Sequence, residues 1–274
     1  MKIIILLHLL AAVGYAVAAR RGVTIIFVAA LFLHAATLAV NHITHPASAG
    51  GVAVVLSLFM FFSAVVGWPL TRPGISRRLL SLFALSAVIA PLFFDIDKPP
   101  PGGLSLFHSL LGMLAYAFSL TAFLQWMDLC LTERARRNLS GYAVFDKAVL
   151  GASYSSSEEE EYDAPKTVRE TLPLLALEEK CFFTLSIAFV LLSLTLLSGG
   201  VTAIMEDISP FALTHKSLFA LITWLLFLIL LVGRRIYGWR GATALAWLAT
   251  GFLFLFISYF GSHFVLQVLL ERIR

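Results

Sequence analysis

The chain has 274 residues, of which 59% are hydrophobic and only 13% charged, with a mean hydropathy of +0.90. A soluble domain of this length needs far more polar surface to face water, so composition excludes an ordinary water-soluble fold. The net charge of +4 comes without a basic stripe interleaved with aromatics, which excludes a nucleic-acid reader.

Taken in chain order, apolar runs cover roughly 3–19, 22–41, 51–71, 79–95, 104–127, 181–198, 216–233 and 242–265. A hydrocarbon core ~30 Å thick is crossed by about 20 apolar residues in helical form. In lipid only a helix satisfies its own backbone polar groups, and continuous apolar runs are not the alternating pattern of barrel strands. The expected fold class is therefore all-α: a polytopic membrane protein of about eight transmembrane helices, forming one domain over 1–274.

Lysine and arginine in the connections set the orientation. Alternate connections carry Arg20 and Arg21, then Arg72, Arg77 and Arg78, then seven residues from Arg134 to Lys180, then Arg234, Arg235 and Arg240. Fifteen of the 20 basic residues thus share one side, which predicts a cytoplasmic face there and both termini outside. Ala16-Val17-Ala18 also resembles a signal-peptidase site after a short apolar core. Cleavage there would place Arg20 and Arg21 outside and invert every later cluster. The loop charges favour a retained first helix.

Connections are short except for the cytoplasmic loop at about 128–179. It contains Ser155 to Ser157 followed by Glu158 to Glu161, and low hydrophobicity with a like-charge run predicts disorder. Pro173, Glu178 and Glu179 lead from it into the sixth helix. The outside connections are Asn41 to Gly51, the proline-stiffened Asp95 to Gly103, and Gly199 to Thr214. Cys130 and Cys181 lie near cytoplasmic helix ends, where thiols stay reduced, and no Cys-x-x-Cys occurs.

All seven histidines then fall in or beside the outer leaflet: His8, His34, His42, His45, His108, His215 and His263. Imidazole is a frequent haem-iron and metal ligand. His108 opens the fifth helix, with Gly112, Tyr116 and Ser119 at helical spacing below it. His215 opens the seventh at a corresponding depth. Two imidazoles facing each other across a cleft could hold one haem iron axially, and Lys216 could pair with a propionate or simply snorkel to the interface. His34, in the outer third of helix two, is a further candidate because ionisable groups at membrane depth are costly. His263 shares a face with Tyr259 in helix eight, and His8 lies at similar depth in helix one. His42 and His45 belong to a solvated loop.

Other machinery is missing. No phosphate-binding Gly-rich Lys-Ser/Thr loop, Gly-x-Ser-x-Gly or His-Glu-x-x-His occurs, and few carboxylates lie within the spans.

Four stretches carry a likeness to a known family. They are His108 to Ala117; Leu172-Pro173 to Glu179 with Phe183; His215-Lys216 with Ala220 to Trp224; and Gly238-Trp239-Arg240-Gly241 followed by Ser258 to Gly261. In this order they resemble the cytochrome c assembly family of CcsA, HemX and YpjD-like membrane proteins, and fit the YpjD-like branch over most of the chain. The larger branch has a tryptophan-rich external loop, whereas Gly199 to Thr214 holds no tryptophan.

The resemblance thus implies haem binding or transfer at the outer leaflet of a bacterial cytoplasmic (inner) membrane, in cytochrome c assembly. It implies haem as cofactor, with His108 and His215 as axial ligands and Lys216 beside them; His34 and His263 are further candidate haem contacts by their depth in the membrane. Membrane lipid, haem, and cytochrome c assembly proteins or a tetrapyrrole-pathway enzyme are the expected partners, with no bond-making step required. Two alternatives stay open: a HemX-like regulator of tetrapyrrole synthesis acting through the cytoplasmic loop, and a small-solute or metal carrier gated by the outer histidines.

Overall fold

The apolar runs fold as helices in the computed structural model, which describes residues 2–45, 51–92, 103–150, 166–205 and 215–258. They are α1 (Lys2–Arg21), α2 (Thr24–Thr44), α3 (Val52–Leu70), α4 (Ile75–Ile89), α5 (Gly103–Leu150), α6 (Lys166–Met205), α7 (His215–Tyr237) and α8 (Gly241–Phe256). A short 3-10 turn, Ala90–Leu92, follows α4. No strand occurs among the described residues. Among the described residues, seven helices are long and apolar enough to cross a membrane, and α8 is a shorter apolar one. The all-α, multi-pass architecture expected from composition is the one the chain adopts.

Helix ends follow local chemistry. After α1, Gly22 takes the left-handed conformation (φ 68°) and its N–H returns to Ala18 O at 2.8 Å. That conformation costs glycine nothing and would strain most other residues. Pro69 sits in the last turn of α3, which stops at Leu70. α4 starts four residues earlier than hydropathy suggests, inside the arginine cluster. There Arg77 is held by a 3.1 Å bond from Nε to Thr71 O and by its place over the Trp68 ring, 4.7 Å from the centroid.

The largest departure concerns the loop expected at about 128–179. α5 continues to Leu150 and α6 begins at Lys166, so most of that stretch is helical. The 151–165 stretch, with its Ser/Glu run, lies outside the described residues. Low hydropathy there was a poor guide to conformation, because arginine, glutamate, lysine and leucine are good helix formers whether or not they face lipid. α6 also runs on through 199–205, which hydropathy assigned to an outside loop.

Helix neighbours define two rings. α1 packs on α2 and α4, and α3 completes the circuit against both of those. α5 packs on α6 and α8, and α7 completes a second circuit in the same way. The rings are fused chiefly where α3 lies along α5.

In the first ring, a Cβ on Gly14 would stand 2.8 Å from Ala30 Cβ, so α1 and α2 meet backbone to backbone. Phe27 stacks on Trp68 with centroids 3.7 Å apart. At the seam, Phe59 meets the Tyr116 ring edge-on, Gln125 Nε2 donates to Leu70 O (3.0 Å), and Ser76 Oγ donates to Leu124 O (2.7 Å).

In the second ring, Phe189 stacks on Trp224, whose indole N–H donates to Ser193 Oγ (2.8 Å). Thr223 Oγ1 donates to Gly251 O (3.1 Å), where the absent side chain admits the Phe227 ring. Outward-facing side chains are large and apolar, among them Ile25, Phe32, Phe183 and Leu197. Those faces suit lipid, which imposes no penalty on them.

Candidate functional site

Within the second ring, α5 and α7 stand at opposite corners and begin at the same end of the bundle. His108 is the sixth residue of α5 and His215 the first of α7, so the two expected ligands share that end. The side chains of His215 and Lys216 lie outside the described residues, as does all of His263.

His108 is half-buried against the far end of α6. Its Nδ1 lies 3.0 Å from Ser198 Oγ, and that hydroxyl donates to Thr195 O at 3.0 Å. A serine hydroxyl has one proton. With that proton directed to the carbonyl, the oxygen is placed to accept from an Nδ1–H, the tautomer that leaves Nε2 bare. Nε2 has no hydrogen-bond partner among the described residues. That protonation pattern is the one a haem-ligating histidine needs, with the far nitrogen fixed by a hydrogen bond to an oxygen.

Glycine makes this approach feasible. A Cβ on Gly199 would stand 3.0 Å from His108 Cε1. One turn further in, Gly112 faces Thr195, whose methyl would be 3.5 Å from an added Cβ. Tyr116 turns to Phe59 on α3, and Ser119 returns its hydroxyl to Ala115 O. The stripe below His108 therefore serves helix packing on two sides.

The other histidines are placed differently. His34 is fully buried in the first ring, with Nδ1 3.1 Å from Tyr15 Oη and Nε2 2.8 Å from Ser57 Oγ. Both ring nitrogens are used in joining α1, α2 and α3. Ligation by His34 requires breaking one of these bonds. His8 is buried too, and its Nδ1–H donates to Ile4 O at 2.8 Å. His42 and His45 are exposed at the end of α2, as expected for solvated side chains.

The opposite, arginine-rich end of the second ring is closed by a different set of groups. Arg240 Nε stands 3.4 Å from Glu178 Oε1, an ion pair whose angle falls short of a hydrogen bond. Arg234 lies over the Phe182 ring, 3.7 Å from its centroid. Trp126 Nε1 donates to Gly241 O at 2.8 Å and meets Phe182 edge-on. Cys130 and Cys181 are both buried and are not joined in a disulfide. No set of three or more histidine, cysteine or acidic side chains among the described residues is placed to hold a metal ion.

Hydropathy and histidine spacing pointed to His108; they did not point to Ser198 and Gly199 beside it, nor to the pair of Glu178 and Arg240 at the other end. The signal for the first two was available: a Ser-Gly-Gly near the far end of the helix antiparallel to the one that opens with His108.

The sequence model of the Cytochrome C assembly protein family matches residues 2–270. The chain is 32% identical over 101 residues to the Escherichia coli (strain K12) inner membrane protein YpjD, which covers 37% of this chain and 38% of that one. It is 35% identical over 100 residues to the cytochrome c biogenesis protein CcsA of Heterosigma akashiwo, covering 36% and 31%. With CcsA of Oryza sativa it shares 29% identity over 168 residues, covering 57% and 52%. The matched stretches thus span about a third to a half of these relatives. No solved structure matches.

Proposed function

This chain belongs to the Cytochrome C assembly protein family, and on that premise we propose that it holds and passes on haem in cytochrome c assembly. The site is the histidine end of the second ring, in the outer leaflet of a bacterial cytoplasmic membrane. His108 and His215 would hold the iron, Lys216 would pair with a propionate, and His263 is a further candidate contact. Haem, when bound, would supply the iron, and the two imidazoles would hold it through neutral ring nitrogens. The partners are the membrane lipid and other cytochrome c assembly proteins.

One observation carries this reading: His108 Nδ1 is committed to Ser198 while Nε2 is left without a partner among the described residues. A histidine that only touched headgroups would have no need of a hydrogen-bond relay to a neighbouring helix. At the arginine-rich end, Glu178, Arg240, Arg234 and Trp126 are all engaged with one another or with neighbouring groups. That favours exchange of the ligand at the histidine end or laterally from lipid. No bond-making step is assigned to the chain.

The test is an absorption spectrum of detergent-purified protein, oxidised and reduced. Bis-imidazole ligation gives a low-spin spectrum. His108→Ala and His215→Ala each weaken haem retention or raise the spin state, whereas His42→Ala does neither. Imidazole added to the His108→Ala protein partly restores the parent spectrum. A parent that never binds haem overturns the proposal and leaves a family fold without its ligand.

A further inference from the structure

We infer that Ser198 is the positioning residue for His108: its hydroxyl fixes the imidazole as the Nδ1–H tautomer and aims the bare Nε2 at an iron. The inference deepens the haem reading and rests on it for the identity of the ligand, but the tautomer claim stands on geometry alone.

The geometry has three parts. First, Ser198 Oγ is 3.0 Å from His108 Nδ1 and 3.0 Å from Thr195 O, so it is a two-way bridge between an imidazole and a backbone carbonyl. Nearby hydroxyls of α6, on Ser193 and Thr195, also donate to the carbonyl one turn back, and neither accepts from His108. A serine in a helix gains little from such a back-bond by itself. Here the back-bond uses up the only hydroxyl proton and leaves the oxygen able only to accept. Second, a bare Nδ1 would need a proton from the Ser198 hydroxyl, which that hydroxyl directs to Thr195 O instead. Third, Gly199 removes the side chain that would occupy the space beside Cε1 and turn the ring away. Serine supplies the chemistry and glycine the room.

The arrangement resembles in kind the outer-shell bond found behind most metal-binding histidines, where loss of the partner lowers metal affinity about 10–100-fold. Nothing about the covalent chain near Ser198 demands a hydroxyl for helix formation, since alanine is the better helix former. A purely structural serine would therefore be replaceable.

The experiment reads the tautomer first and haem second. Full-length protein, free of haem and labelled with 15N-histidine, is reconstituted in lipid, and His108 is assigned by its disappearance in His108→Gln. Its two ring-nitrogen resonances should report Nδ1 protonated and Nε2 bare. Ser198→Ala should convert this to a mixture or to the opposite tautomer, and Ser198→Thr should restore the parent pattern. Haem titration should then show roughly tenfold or weaker affinity for Ser198→Ala, with Ser198→Thr near the parent. Gly199→Ala should weaken haem binding while Gly200→Ala, which adds a methyl to open space, leaves it unchanged. An Nε2–H tautomer in the parent, or an unchanged tautomer in Ser198→Ala, overturns the inference whatever haem does. If the tautomer responds but the parent binds no haem, the haem reading fails and the positioning of His108 by Ser198 survives.

Discussion

Arg240 and Glu178 are 62 positions apart in sequence and 3.4 Å apart in space, one in the turn between α7 and α8, the other near the start of the membrane part of α6. Glu178 is buried, with 11% of its side chain accessible, while 59% of the Arg240 side chain remains open to solvent. Gly238, in the left-handed conformation at the end of α7, turns the chain so that Arg240 can reach back across the ring. Trp126 fastens the same turn through Gly241 O. Two short strings that carried the family likeness are thus halves of one contact.

Removing Arg240 leaves the buried Glu178 carboxylate with only the charge of Arg234 to offset it. Arg240→Gln should lower stability by roughly 1–3 kcal/mol, below the full cost for a wholly buried pair because the guanidinium is largely hydrated. The double variant Arg240→Gln with Glu178→Gln should recover part of that loss, since the stranded charge is gone. Thermal unfolding of detergent-purified protein measures all three. Equal stability of the parent, the single variant and the double variant would show that the pair is a surface contact of no consequence.

His34 should behave as a structural joint. His34→Ala strands the Tyr15 and Ser57 hydroxyls in an apolar interior, at a cost of about 1–3 kcal/mol. Tyr15→Phe removes one bond, and interhelical hydrogen bonds in membranes average nearer 0.6 kcal/mol. Both variants should therefore unfold at lower temperature, His34→Ala the more so, and both should keep the parent haem spectrum. A spectrum lost in His34→Ala and kept in His108→Ala would move the ligand site into the first ring.

Reporter fusions test the orientation. Fusions after Arg137 and Arg235 should read cytoplasmic, and fusions after Asp97 and Asp207 should read extracytoplasmic, following the skewed distribution of basic residues. The reverse pattern would carry the histidine end to the cytoplasmic leaflet and would remove the outer-leaflet haem proposal.

Sequence made the spans legible because an unbroken apolar run has one stable form in lipid. It also located His108 and His215 at one end, since alternating helices return every second helix start to the same side. Three things were not legible. The helical lengths of α5 and α6 beyond the apolar runs were hidden because hydropathy reports solvent preference and not backbone conformation. The partners of His34 were hidden because Tyr15 and Ser57 are ordinary residues until the rotation of three helices about their axes is known. Ser198 looked like the last residue before a loop, and only the antiparallel pairing of α5 with α6 turns it toward His108.

The fusion of two rings along α3 and α5 also decides how damage spreads. A substitution in α1, α2 or α4 can disturb the histidine end of the second ring mainly by first moving α3 or the residues that clasp it. Among them are Phe59 against Tyr116, Leu70 O held by Gln125, and Ser76 tied to Leu124 O. Change in the first half reaches the histidine end chiefly across that seam, which is where each half of the molecule constrains the other.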